Sequence, residues 1–230
     1  MAILYLVSTP IGNLEDITLR AKRILGEADI IACEDTRKTG MLLVKLNIPR
    51  KRLLSYYEEN ELRRIPEIVR LLKEGKNVAL VSNAGTPTIS DPGFKLVREC
   101  LIQGIKVEAI PGPSAILTAL VSSGLPTDKF LFLGYLPKKK NKRLNLLKNY
   151  TLDAKPYTLI FFESPHRLIE TLKDLQEIFG DIEIVLSREL TKIYEEIRRE
   201  KISETIAYFE KTPPKGEFTL LFNNLNIPLK

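Results

Sequence analysis

Apolar, strand-like runs alternate with amphipathic helical patterns from one end of this chain to the other, and that alternation restricts it to an α/β fold with largely parallel strand pairing. Strands are predicted over Ile3 to Ser8, Ile30 to Glu34, Asn77 to Ser82, Ile105 to Ile110, Lys129 to Tyr135, Tyr157 to Glu163, Ile182 to Arg188 and Phe218 to Asn223, with helices in most of the gaps. Asp16 is placed to cap a helix through Leu25, and Asn60 one through Glu74 that Pro66 should kink or break. Asp91-Pro92 starts another that ends near Gly104. The pattern is interrupted at Pro111-Gly112-Pro113 and restarts after Gly124, so the expected division is a domain of residues 1–113 and a second of 114–230, packed around a cleft.

In open α/β sheets ligands bind beyond the carboxyl ends of the strands, which makes the residues after each apolar run the informative ones. Here they are Thr9-Pro10-Ile11-Gly12-Asn13, Glu34-Asp35-Thr36-Arg37-Lys38-Thr39, the stretch Asn83 to Gly93, and Pro111-Gly112-Pro113-Ser114-Ala115. Any one of these reads equally as a tight turn. Four of them at one edge read as a preformed pocket, because Pro fixes the backbone and Gly lets main-chain groups approach a ligand closely. In the second half, Phe161-Phe162-Glu163-Ser164-Pro165-His166-Arg167 and Ser187-Arg188-Glu189-Leu190-Thr191-Lys192 follow strands in the same way.

Two absences narrow the chemistry. No two of the twelve glycines are separated by a single residue, so neither G-x-G-x-x-G nor the loop of a Rossmann methyltransferase is present, and no P-loop occurs. Cys33 and Cys100 are far apart with no neighbouring Cys or His, which argues against a disulfide framework and a zinc site. The opening apolar run is short and lacks a basic flank, and no run reaches membrane-spanning length, so the cytoplasm is the expected location.

A net charge of +6 draws polyanions. Lys138, Lys139, Lys140, Lys142 and Arg143 cluster beside Gly134-Tyr135-Leu136-Pro137, and are read either as a solvated surface or as a phosphate-binding patch for RNA.

TPIGN from Thr9, EDTRKTGMLL from Glu34, LVSNAGTPTISDPG from Leu80, PGPSAILTAL from Pro111, GYLP from Gly134, FFESPHRL from Phe161, SRELTK from Ser187 and KGE from Lys215 occur in this order along nearly the whole chain. Together they resemble the family that methylates the ribose 2'-oxygen of a cytidine in small-subunit (16S) ribosomal RNA, within the tetrapyrrole-methylase-like superfamily. The resemblance implies a two-domain fold distinct from the Rossmann methyltransferases, S-adenosylmethionine in the cleft between the domains, a homodimer, no metal, and small-subunit rRNA or the assembled subunit as substrate. It assigns the cofactor to Pro10, Gly85, Thr86, Ile89, Ser114, Ala115, Phe162, Glu163, Ser187, Lys215 and Gly216. The chain departs from the pattern at Asn83, where an Asp is usual, and it ends without the further C-terminal segment of longer members, which bears on RNA affinity rather than chemistry.

A ribose hydroxyl is a poor nucleophile while protonated, so a base or an oxyanion-stabilising cation is needed. Glu34, Asp35, Arg37 and Lys192 are the candidates. One of the adjacent carboxylates could take the proton while the other orients Arg37; alternatively, Asp35 caps the next helix and Glu34 pairs with a basic side chain. Two other functions compete with this one: a small-molecule methylase acting on a tetrapyrrole, and an RNA-binding assembly factor without turnover.

Overall fold

The computed structural model describes residues 2–151 and 156–224. They form two compact units, residues 1–114 and 115–230, each built on its own five-stranded sheet.

The first unit runs β1 (Ile3–Val7), α1 (Leu19–Glu27), β2 (Ile30–Cys33), α2 (Thr36–Lys45), β3 (Arg52–Ser55), α3 (Glu61–Lys73), β4 (Val78–Val81), α4 (Phe94–Ile102) and β5 (Lys106–Ile110). The strand order is β3-β2-β4-β1-β5, and every pairing is parallel. The strands sort their side chains by alternation. Ile30, Ala32, Val78 and Leu80 join a core that includes Ile68, Leu72, Leu96 and Cys100. Their neighbours Ile31, Cys33, Ala79 and Val81 join a second core with Ala21, Ile24, Leu25 and Leu43. Helices α3 and α4 therefore cover one face and α1 and α2 the other, which is why the central strands are apolar throughout.

The helix starts differ from expectation. A 3-10 turn, Leu14–Asp16, occupies the stretch where Asp16 was expected to act as a cap, and α1 begins later because the Thr18 hydroxyl accepts from the Ala21 N–H at 3.0 Å. Helix α3 passes through Pro66 without a break. Helix α4 begins at Phe94 rather than at Asp91-Pro92, with Gly93 as its cap.

The second unit runs α5 (Ala115–Ser123), β6 (Phe130–Tyr135), α6 (Lys140–Lys148), β7 (Thr158–Glu163), α7 (Leu168–Phe179), β8 (Glu183–Arg188), β9 (Glu196–Lys201), α8 (Ile202–Lys211) and β10 (Phe218–Asn223). Its strand order is β6-β7-β10-β8-β9. Only β6 and β7 pair in parallel; β10 runs antiparallel to both β7 and β8, and β9 antiparallel to β8. The expectation of largely parallel pairing thus holds for the first sheet and fails for the second. For β8 and β9 the cause is local: residues 189–195 join them, too short a link for the crossover that parallel strands need. Leu159, Phe161, Leu172, Leu186, Ile202, Phe209, Phe218 and Leu220 form the core on one face of this sheet. Register aligns Phe218 with both Glu163 and Arg188, so the ends of β7 and β8 and the start of β10 share one edge.

Candidate functional site

In the first unit the carboxyl edge of the sheet is drawn together by its own loops. Thr9 and Gly85 exchange two main-chain hydrogen bonds of 2.9 Å, which lays Pro10 beside the loop after β4. The Ser8 hydroxyl donates to Thr86 Oγ1 at 3.1 Å, and Thr86 Oγ1 donates to the Pro113 carbonyl at 3.2 Å. Three loops are thereby locked to one another, and Gly112 is required for the approach: a Cβ there would lie 2.9 Å from Ser8 Cβ. The structure thus brings Pro10, Gly85, Thr86 and Ser114 to one edge, with Ile89 exposed on the same loop as Gly85. Ala115 opens α5 as the first residue of the second unit. Thr88 and Ser90 both adopt the left-handed conformation, a costly choice for residues with a Cβ that here shapes the loop.

Glu34 follows β2 at the same edge. Asn83 donates to it twice, from its backbone N–H to Oε1 at 3.2 Å and from Nδ2 to Oε2 at 3.0 Å. Burial pushes the Glu34 carboxyl above its usual range, and the nearby Asp91 charge adds to this, while Asn83 and Lys38 oppose it. Asp91 is itself raised by burial. Asp35 behaves differently. Its carboxylate caps α2, accepting from the Arg37 and Lys38 N–H groups at 2.9 and 3.3 Å, and it also holds the Arg37 guanidinium. The hydrogen bonds from Arg37 depress its pKa. Of the two adjacent carboxylates, Glu34 is therefore the better proton acceptor, and Asp35 orients Arg37 and the helix. Glu34 takes the amide of Asn83 as its partner rather than a basic side chain. Beside Asp91 opens a recess of about 270 Å³ bordered by Glu58, Glu61, Lys95 and the exposed ring of Phe94.

In the second unit Lys192 donates to Glu189 at 2.8 Å and Glu217 at 3.0 Å, which raises its pKa against the opposing effect of burial and keeps it cationic. Glu189 and Thr191 sit at positive φ, and the Glu189 carboxylate also accepts from the Glu217 N–H at 3.0 Å. Gly216 makes this possible: at φ +94° a Cβ would lie 2.6 Å from the Glu189 side chain. The carbonyl of Lys215 is held by Arg188 at 2.7 Å, so this short stretch is fastened to the end of β8. Phe162 stands at the neighbouring strand end with Phe132 and Tyr135 around its ring.

Three expected site residues are placed otherwise. Glu163 is buried, and its carboxylate is filled by Ser164 N–H, Arg167 Nε and Nη2, and the Thr171 hydroxyl, at 2.6 to 2.9 Å; it fastens β7 to α7 and has no side-chain capacity left for a cofactor. Ser187 is fully buried beneath the edge, its hydroxyl without a hydrogen-bond partner. Arg143 is also fully buried. It bonds Asp174 at 2.6 Å and the carbonyls of Pro137 and Lys138, so it anchors the basic loop instead of meeting RNA. Lys140 pairs with Asp174 and Glu177, whereas Lys138, Lys139 and Lys142 are exposed with no ion pair to any described residue. Asn83, Asp91 and Glu189 are named in the sequence reading but given no part in the site, since each takes its meaning from a partner distant in sequence or from a bend that spacing does not reveal.

Among the described residues no helix is long and apolar enough to cross a membrane. Solved structures share the fold at low identity: diphthine synthase at a TM-score of 0.73 and 16% identity, covering 96% of this chain and 89% of that one, and uroporphyrin-III-C-methyltransferase from Thermus thermophilus at 0.65 and 20%, covering 96% and 94%. The family model for Tetrapyrrole (Corrin/Porphyrin) Methylases matches residues 3–206. "Ribosomal RNA small subunit methyltransferase I" of Thermotoga maritima is 52% identical over 223 residues, covering 97% of this chain and 99% of the relative. The protein of that name from Escherichia coli O157:H7 is 46% identical over 221 residues, covering 95% and 76%. On the strength of a likeness that runs almost end to end, the chain belongs to the ribosomal RNA small subunit methyltransferase I family, among the tetrapyrrole (corrin/porphyrin) methylases.

Proposed function

We propose that this protein transfers the methyl group of S-adenosylmethionine to the ribose 2'-hydroxyl of a cytidine in small-subunit rRNA. The observation that carries the reading is identity of about half along nearly the full length to relatives named as ribosomal RNA small subunit methyltransferases.

The cofactor, when bound, supplies a methyl group activated by its sulfonium. The residues fit such a ligand: the rigid loop edge of the first unit offers Pro10, Gly85, Thr86, Ile89 and Ser114, and the edge of the second offers Ala115, Phe162, Lys215 and Gly216. Locked loops suit a displacement in which acceptor oxygen, methyl carbon and sulfur must be collinear, since positioning supplies much of the rate. Glu34 accepts the hydroxyl proton, its raised pKa bringing it closer to neutral pH. Lys192 is held as a cation and serves as a charge for an anionic group rather than as a base. The recess beside Asp91 is bordered by the carboxylates of Glu58 and Asp91 and by Lys95, which is paired with the buried Glu61; the Glu58 and Asp91 carboxylates suit an exocyclic amine such as that of cytosine, with Phe94 as a stacking face. A tetrapyrrole bearing acidic side chains suits such a recess poorly. Exposed Lys138, Lys139 and Lys142 receive the RNA backbone. A homodimer completes the reading; Leu117 and Val121 on α5 offer exposed apolar surface for it.

The test is incubation with methyl-labelled S-adenosylmethionine and unmodified small subunits, followed by alkaline digestion of the rRNA. A 2'-O-methyl group blocks cleavage at its own linkage, so label in an alkali-resistant dinucleotide containing cytidine supports the proposal. Absence of label from subunits and free rRNA alike, with cofactor binding intact, removes it.

A further inference from the structure

The parallel register pairs Cys33 with Val81, so the chain leaving β2 and the chain leaving β4 emerge side by side, with Glu34 on one and Asn83 on the other. Asn83 contacts each oxygen of the Glu34 carboxylate with a separate N–H, one from the backbone and one from the side-chain amide. We propose that Asn83 is a positioning residue for proton removal: its paired donors fix the plane of the Glu34 carboxylate and direct the remaining lone pairs of both oxygens outward, toward the acceptor hydroxyl. The inference rests on the reading of Glu34 as the base.

The amide is suited to this role in a way that similar side chains are not. A carboxylate has room for about four hydrogen bonds, so two donors from one neighbour orient it without exhausting it. An acid at position 83, where the family pattern usually has Asp, would leave only the backbone N–H as a donor and would bring another negative charge to a site where Asp91 already opposes ionisation of Glu34, so the paired grip belongs to this chain's departure from that pattern. The charged groups acting on Glu34 are Asp91 from the loop after β4 and Lys38 on α2; its sequence neighbours Cys33 and Asp35 are the other titratable groups of its own segment. Asn83 is exposed and neutral, so its removal changes geometry without a change of charge, whereas Asn83→Asp changes charge with almost no change of shape.

The experiment compares kcat, the KM for S-adenosylmethionine and the pH profile of the parent, Asn83→Ala, Asn83→Asp and Glu34→Gln on small subunits, with thermal melts as folding controls. Asn83→Ala is expected to lower kcat by roughly tenfold or more, the worth of a hydrogen bond to a charged group, at unchanged KM for the cofactor. Asn83→Asp is expected to move the acidic limb of the kcat profile to higher pH and to recover part of its activity there. Near-parental kcat and an unmoved limb in both Asn83 variants, with Glu34→Gln inactive, would overturn the positioning role while leaving Glu34 as the base. Activity retained in Glu34→Gln would overturn both.

Discussion

Removing Asp174 should unfold the second unit far more readily than its single side chain suggests. The Arg143 side chain is 0% exposed and that of Asp174 2%, and they meet through Nε at 2.6 Å and Nη2 at 2.5 Å. In Asp174→Ala the guanidinium stays buried with the Pro137 and Lys138 carbonyls and a single contact to Glu170, whose side chain is 59% exposed. Leaving one member of a buried ion pair without its partner typically costs about 3–5 kcal/mol. At roughly 2–4 °C per kcal/mol for a chain of this size, the melting temperature falls by roughly 6–20 °C. Because each unit has its own core, a single transition is not assured. Calorimetry should therefore be paired with hydrogen exchange over α6 and α7, which assigns the transition to the second unit. Replacing both partners, Arg143→Met with Asp174→Leu, is expected to restore or exceed parental stability by up to about 4 kcal/mol. An Asp174→Ala protein that melts with the parent would refute the claim that this pair anchors the loop. Arg143→Met, by the same reasoning, leaves the salt dependence of RNA binding unchanged.

Changing Lys138, Lys139 and Lys142 together to Gln should flatten the dependence of log affinity on log salt by about one unit per lysine, read by filter binding at several ionic strengths; a parental slope would sink the phosphate assignment. Gly216→Ala should lose more than about 1 kcal/mol, because φ is positive there, and should also slow methyl transfer by pushing Glu189 off Lys192; equal melting and turnover would contradict this. Burial raises Glu34, so the folded state holds that proton more tightly than the unfolded chain, and its contribution to stability declines as pH rises through the carboxylate range. Glu34→Gln should consequently be more stable than the parent at neutral pH, with the gain vanishing below about pH 4, as urea midpoints at the two pH values would report. A variant destabilised at neutral pH would show that Glu34 is needed for the fold.

Strands buried on both faces, such as Ile30–Cys33 and Val78–Val81, were legible because nothing but apolar residues can occupy them. The two that were missed are edge strands with other compositions. β3 has four residues, and β9 is Glu196-Ile197-Arg198-Arg199-Glu200-Lys201, where Arg198 bonds Glu196 and Glu200 along its own strand. Charge on an edge strand guards against pairing with other chains, and it also hides the strand from a hydrophobic pattern. The loops of the site were visible through Gly and Pro, which announce special backbone. Their partnerships were not: Asn83 reaches Glu34 across 49 residues and Arg143 reaches Asp174 across 31. Arg143 looked like one more member of a basic run because a run of charge carries no record of which member turns inward.

The order of strands in the first sheet bears on how this protein is made. Ile3–Val7 is synthesised first, yet it lies between Val78–Val81 and Lys106–Ile110, the last two strands of its unit to emerge. Until residue 110 has left the ribosome, at least one edge of that apolar strand has no partner. Translation at roughly 5–20 residues per second leaves it so for several seconds, longer than hydrophobic collapse takes. Slower decoding between residues 8 and 110 would extend that interval, and a chaperone that shields short apolar segments would matter most there.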